Sequence, residues 1–235
     1  MFVNYAHRGA SAYAPDSTVA AFDLGIAMKA NGIETDLQKT KDGKIVLFHN
    51  EMLDGRSSGR GKLAEHTYKE LLAMDFGGWF SEKYKGEKIV LFEDFAQKYF
   101  HLDLTFALEL KVRGIEKEVL EIIKKYDAMD KVYISSFLFD ALEAMRGIDG
   151  KIRLSWLLNK ITPDAVERLK KISGSQICPQ AALVTPEEIA VARENGLGVR
   201  LWGVTDEALM KKVYPLATEG MTVNFPDKLY ALMRD

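Results

Sequence analysis

The chain has 235 residues, with 32 Lys and Arg against 34 Asp and Glu, a formal charge of −2, and 47% hydrophobic against 28% charged residues. That balance excludes disorder and gives no electrostatic footprint for nucleic acid or an anionic membrane surface. The single cysteine, Cys178, excludes an internal disulfide and any thiolate zinc site.

Short β-branched or apolar runs alternate with helix-length segments from end to end. Strands are expected at Val3–Ala6, Gly32–Asp36 (with Ile45–Phe48 counted as its extension), Leu104–Leu110, Val132–Ser135, Ile152–Leu157, Gln176–Cys178, Gly198–Trp202 and Met221–Val223. Between them, helices are expected at Thr18–Ala30, Ile115–Tyr126, Phe139–Arg146, Asp164–Lys171, Glu187–Asn195, Glu207–Tyr214 and Asp227–Met233. Thr162-Pro163 and Thr185-Pro186 read as N-cap and N1 pairs, Asp206 as a cap, and Gly32 and Gly196 as C′ glycines. Eight strand–helix repeats in about 235 residues predict an α/β fold, a single (β/α)₈ TIM-type barrel domain; an open doubly wound sheet is the alternative. The exception to the alternation is Glu51–Lys88, rich in Gly, Ser and charge, with a short helix near Thr67–Met74 and an aromatic patch of Phe76, Trp79, Phe80 and Tyr84. It reads as a small insertion after the second strand. No apolar run approaches the roughly 18 residues of a membrane span, and the N-terminus MFVNYAHRG lacks a basic leader. The location expected is therefore cytoplasmic, with no stable membrane association; oligomeric state is not legible.

The C-terminal ends of barrel strands form the face where chemistry occurs. Those ends carry His7-Arg8-Gly9, Glu34-Thr35-Asp36, His49-Asn50, Glu109-Leu110-Lys111 and Arg200-Leu201-Trp202. Glu34 and Asp36, two apart on a strand, face the same way. With Glu109 they form three carboxylates that, at ~5 Å and an effective dielectric of 20, repel by about 3 kcal/mol per pair. A cation is needed to offset this. Lys111 could do so alone as a salt bridge, but one ammonium against three carboxylates leaves excess negative charge. An all-oxygen set favours one hard divalent cation, Mg²⁺ or Ca²⁺, over zinc. His7 and His49, with unperturbed pKa values near 6.5, suit proton transfer on either side of a phosphorus. Arg8 and Lys111 are the groups to hold phosphate oxygens.

The order His7-Arg8-Gly9-Ala10, Ala14-Pro15-Asp16-Ser17-Thr18, Gly32-Ile33-Glu34-Thr35-Asp36, His49, Glu109-Leu110-Lys111, Ser135-Ser136-Phe137 and Trp202 resembles the glycerophosphodiester phosphodiesterase family over nearly the whole chain. The resemblance implies a barrel with an insertion after its second strand, and a divalent metal on Glu34, Asp36 and Glu109. It further implies a catalytic pair at His7 and His49, phosphate contacts at Arg8 and Lys111, and Trp202 lining a glycerol pocket. In that family the nucleophile is often the substrate's neighbouring glycerol hydroxyl, giving a cyclic phosphate that water opens to glycerol 3-phosphate and an alcohol. The chain departs from the family pattern at Asp16 and Ser17, at Asn50, at Gly203 and Thr205 after Trp202, and at Asn224, where Asp is common. Two other readings are a lysophospholipase D or phospholipase acting on lipid phosphodiesters, suggested by the aromatic patch, and a non-catalytic phosphodiester-binding barrel, suggested by the altered motifs.

Overall fold

The computed structural model describes residues 2–234. Eight parallel strands close into a barrel: β1 (Val3–His7), β2 (Gly32–Lys39), β5 (Thr105–Leu110), β6 (Val132–Ser136), β7 (Arg153–Leu158), β8 (Gln176–Pro179), β9 (Gly198–Val204) and β10 (Gly220–Val223). Each pairs with the next, and closure comes from β1 lying between β10 and β2. The eight expected wall strands are therefore present. Ile45–Phe48 does not extend the second: β3 (Ile45–Leu47) folds back antiparallel on β2, Leu37 opposite Leu47, and pairs with the short β4 (Val90–Leu91).

The helices α1 (Val19–Ala27), α4 (Glu116–Lys125), α5 (Phe139–Ile148), α6 (Pro163–Lys171), α7 (Pro186–Glu194), α8 (Glu207–Val213) and α9 (Pro226–Leu232) occupy the expected gaps. Thr162, Thr185 and Asp206 each accept a backbone N–H of the first turn, and proline follows both threonines. Gly196 has φ +74 after α7, as a C′ glycine should. Gly32 does not play that part. The left-handed residue after α1 is Lys29, and Gly32 is small because a Cβ there would lie 2.5 Å from Val3 Cγ1. One helix was not anticipated: α3 (Phe92–Tyr99) provides the crossover into β5 and buries Phe92, Phe95, Ala96 and Tyr99.

Inside the helical ring the core is apolar and continuous. The segment between β3 and β4 has a smaller core of its own, in which Val46, Phe48, Leu53, Leu63, Leu71, Phe76 and Ile89 pack with the short α2 (Tyr68–Leu72). Phe76 is buried edge-on against Phe48. Trp79, Phe80 and Tyr84 stack edge to face, and the Tyr84 hydroxyl donates to the Tyr13 carbonyl at 3.0 Å. Packing thus buries Phe76 and engages Trp79, Phe80 and Tyr84, which stay half-exposed, with one another. Among the described residues no helix is long and apolar enough to cross a membrane.

Candidate active site

Strand register assembles the site. On β1 and β2, His7 lies opposite Glu34; on β2 and β5, Asp36 lies opposite Glu109. Because alternate residues share a face, Glu34 and Asp36 both project into the barrel mouth. One oxygen from each of Glu34, Asp36 and Glu109 falls within 4.8 Å of the others. All three side chains are buried, with Asp36 fully enclosed.

The turn after β1 delivers the first basic groups. Arg8 is held at φ 55 by Arg8 N–H donating to the Glu34 carbonyl at 2.7 Å and by Ser17 N–H donating to the Arg8 carbonyl at 2.9 Å. A non-glycine residue in the left-handed region is strained, and such strain concentrates where a side chain must be aimed. Gly9 follows at φ 87, and a Cβ there would meet the Ala21 backbone at 2.3 Å, so only glycine lets α1 approach this turn. Arg8 Nε lies 2.9 Å from Asp36 Oδ2, an ion pair without hydrogen-bond alignment, and Lys111 Nζ lies 2.9 Å from Glu109 Oε1 and 3.6 Å from Asp36 Oδ1. Arg8 also reaches Asp16, as does Arg56 from the 51–88 segment.

Both histidines line the same cavity of about 190 Å³ as Arg8, Glu34, Glu109, Lys111, Phe137 and Trp202. His7 Nε2 is 3.8 Å from Glu34 Oε2. Each ring is oriented by an asparagine: His7 Nδ1 is 2.5 Å from Asn224 Oδ1, and His49 Nδ1 is 2.7 Å from Asn50 Oδ1. A carboxamide oxygen only accepts, so each ring carries its proton on Nδ1 and leaves Nε2 bare. Asn224 is itself held by the Ser11 hydroxyl at 3.0 Å. Trp202 is anchored by its indole N–H donating to the Leu158 carbonyl at 3.0 Å, and Phe137 stands perpendicular to it at 5.0 Å. The structure therefore brings all eight predicted residues to one mouth. Sequence reasoning saw Asn50 and Asn224 only as departures, quoted Phe137 and Arg200 within motifs without giving either a role, and gave none to Thr222; all three line the cavity as well. Period-2 spacing from Trp202 and Asn224 was the available signal for the last two.

Burial, then the charges of Asp36 and Glu109, push the Glu34 carboxyl up to about 8; burial and Asp36 push Glu109 up to about 7. Burial alone would raise Asp36, but Arg8 and Lys111 hold it below the ordinary carboxylate range. Burial, followed by Arg8, lowers both histidines, so they are neutral near pH 7. Within this cluster Glu34 Oε2 and both Asp36 carboxylate oxygens lack hydrogen-bond donors among the described residues. A buried, all-oxygen set short of donors fits a hard divalent ion.

A pH dependence of stability follows. In ion-free protein Glu34 and Glu109 hold their protons more tightly folded than unfolded, so the folded state binds more protons between the ordinary carboxylate pKa and about 8. Stability therefore falls as pH rises through that interval. His7 and His49, lowered, act in the opposite sense only up to their unfolded pKa, near 6.5, which leaves the range above pH 7 to the carboxyls. Thermal unfolding in EDTA should shift to lower temperature from pH 7 to pH 9, and millimolar Mg²⁺ or Ca²⁺ should flatten the trend. A flat profile in EDTA would contradict the buried charge cluster.

Comparison with known proteins finds similarity over nearly the whole chain. The model of the glycerophosphoryl diester phosphodiesterase family matches residues 7–228. The chain is 31% identical to the uncharacterized protein YqiK of Bacillus subtilis over 98% of each chain. It is 28% identical to a glycerophosphodiester phosphodiesterase of Caldanaerobacter subterraneus, covering 97% of this chain and 96% of that one. The solved structure of an Oleispira antarctica phosphodiesterase in complex with the product sn-glycerol-3-phosphate superposes with a TM-score of 0.91 at 24% identity, covering 98% and 96% of the two chains.

Proposed function

The chain belongs to the glycerophosphoryl diester phosphodiesterase family, and from that membership we propose that it hydrolyses small glycerophosphodiesters to glycerol 3-phosphate and an alcohol, using one divalent cation on Glu34, Asp36 and Glu109 and proton transfer by His7 and His49. Its relatives named glycerophosphodiester phosphodiesterase support the reaction class. The observation that carries the finer reading is the donor-poor carboxylate cluster beside two imidazoles that line the same cavity. We read the chain as one barrel domain, with residues 51–88 as an insertion within it.

The bound ion would offset the carboxylate charge and polarise the phosphoryl oxygens. Arg8 and Lys111 add two fixed positive charges beside the phosphate position, and Trp202 with Phe137 gives the glycerol carbons an apolar wall. One imidazole takes the proton of the neighbouring glycerol hydroxyl as its oxygen bonds to phosphorus. The P–O bond to the headgroup breaks, and the other imidazole, which takes up a solvent proton at Nε2 when the anionic phosphodiester binds beside it, gives that proton to the departing alkoxide. Water then opens the cyclic phosphate with the roles reversed. The two asparagine contacts keep each ring from rotating and leave its Nε2 free.

The deciding assay measures glycerol 3-phosphate released from glycerophosphocholine, glycerophosphoethanolamine and glycerophosphoglycerol with Mg²⁺ or Ca²⁺, then with EDTA. Release that stops on chelation is the expected result; no ion-dependent release from any of the three would overturn the reading. Because the aromatic patch is engaged in packing, lysophosphatidylcholine should be the poorer substrate. Faster turnover of that lipid than of glycerophosphocholine would restore the lipid reading.

A further inference from the structure

Arg200 is the cation that neither the family motif nor the phosphate contacts use. It lies two residues before Trp202 on β9, hence on the same inward face, and is 1% exposed. Its Nη1 donates to the Thr222 hydroxyl at 2.8 Å, and its guanidinium sits 5.2 Å from the Tyr5 ring centre. Nε and Nη2 have no acceptor among the described residues. The thiol of Cys178, also beside it, is pushed up by burial and stays neutral. A buried guanidinium with one neutral partner costs several kcal/mol unless charge nearby compensates it. The charge is close by: Arg200 lines the same cavity as Glu34 and Glu109, and both carboxyls favour its charged form.

The pairings leave one match. Lys111 is within ion-pair distance of Glu109 and Asp36, and Arg8 of Asp36 and Asp16. Among the described residues, Glu34 has only the His7 ring in that range. Arg200 is the cation without a carboxylate in contact, and Glu34 the carboxylate without a lysine or arginine in contact. Counting all six groups in the fully ionised form that a bound cation favours, Glu34, Asp36 and Glu109 against Arg8, Lys111 and Arg200, the formal charge is zero before the ion itself is added. A divalent ion makes it +2, the charge that complements a phosphate monoester dianion.

We propose that Arg200 is a positioning residue that acts by charge across the cavity it shares with the acid cluster, weakening the hold on the divalent ion and strengthening the hold on the phosphate. This rests on the reading that the cluster binds such an ion. The two effects have opposite sign, which a purely structural role would not produce.

The experiment uses the full chain and its Arg200→Met, Arg200→Gln and Arg200→Lys variants. Calorimetry gives Mg²⁺ affinity, and competition gives glycerol 3-phosphate affinity in saturating Mg²⁺. For Met and Gln, Mg²⁺ should bind at least about tenfold tighter and glycerol 3-phosphate at least about tenfold weaker, since one unit charge acting on a doubly charged species across a cavity of this size is worth no less than that at an effective dielectric near 20. Lys, keeping the charge, should stay within about threefold of the parent in both by the same reasoning. Affinities that fall together, that do not move, or that move equally in the Lys variant overturn the proposal. So does failure of both Met and Gln variants to fold while Lys folds, since that assigns Arg200 to structure. A parent protein that binds neither Mg²⁺ nor Ca²⁺ sinks the metal reading itself; a parent that binds while its Met variant binds equally sinks only the role of Arg200.

Discussion

Replacing His7 by alanine should lower turnover of glycerophosphocholine by about 10²–10⁴-fold, the range of one general acid or base, while divalent-ion affinity stays within about threefold, because no ligand charge is removed. The two readouts separate because of geometry. His7 Nε2 stands 3.8 Å from Glu34 Oε2, near the acid cluster but outside it. Its Nδ1 side is committed to Asn224, and Asn224 keeps the Ser11 hydroxyl as a partner when the ring is gone. The substitution thus leaves no new buried polar atom without a partner, and the fold should survive it. Steady-state kinetics and calorimetry with Mg²⁺ on the same preparation decide the matter. A loss of less than tenfold would remove His7 from the chemistry, and a matching loss of ion affinity would make it a ligand instead. A phosphodiester-binding barrel without catalysis would barely notice the change.

Much of this was legible because barrel periodicity does two jobs at once. The alternation that marks β2 as a buried strand also states that Glu34 and Asp36 share its inward face, and parallel pairing then sets Asp36 against Glu109. What escaped was governed by contacts distant in sequence. Helix α3 begins directly at the end of β4, with no side-chain cap and with Leu91 in the cap position; its apolar residues look like a continuation of the strand before it. Gly32 resembled a helix terminator, yet its smallness answers to Val3, Tyr5 and Thr105 on neighbouring strands. Asn224 is 217 residues from His7, and nothing local to either names the other. Arg200 stands at a strand end on the active face in the sequence reading too, but with no role, because only closure of the barrel shows that it is buried with no carboxylate in contact.

The substitution Glu34→Gln should reverse the order of stability between ion-free and ion-loaded protein. At pH 8 and above in EDTA, the parent buries a carboxylate that two neighbouring carboxylates and burial itself disfavour, its pKa pushed up to about 8. The amide is nearly the same shape, carries no charge, and can donate to Asp36 or Glu109. One pKa unit corresponds to about 1.4 kcal/mol, and in a chain of this size each kcal/mol moves the unfolding midpoint by about 2–4 °C. The ion-free variant should therefore melt several degrees above the ion-free parent. Millimolar Mg²⁺ or Ca²⁺ raises the parent, since a ligand that binds only the folded state stabilises it by mass action. It should do far less for the variant, which has lost a charged ligand, and the curves cross. Turnover should fall by more than about 10²-fold, beyond the 10–100-fold typical for partners one step removed from an ion. Melting curves with EDTA and with added ion, followed by the phosphodiesterase assay, test this. A variant less stable than the parent in EDTA, or one that responds to the ion as fully, would show that Glu34 is paired from within the protein and that the cluster has no need of a cation.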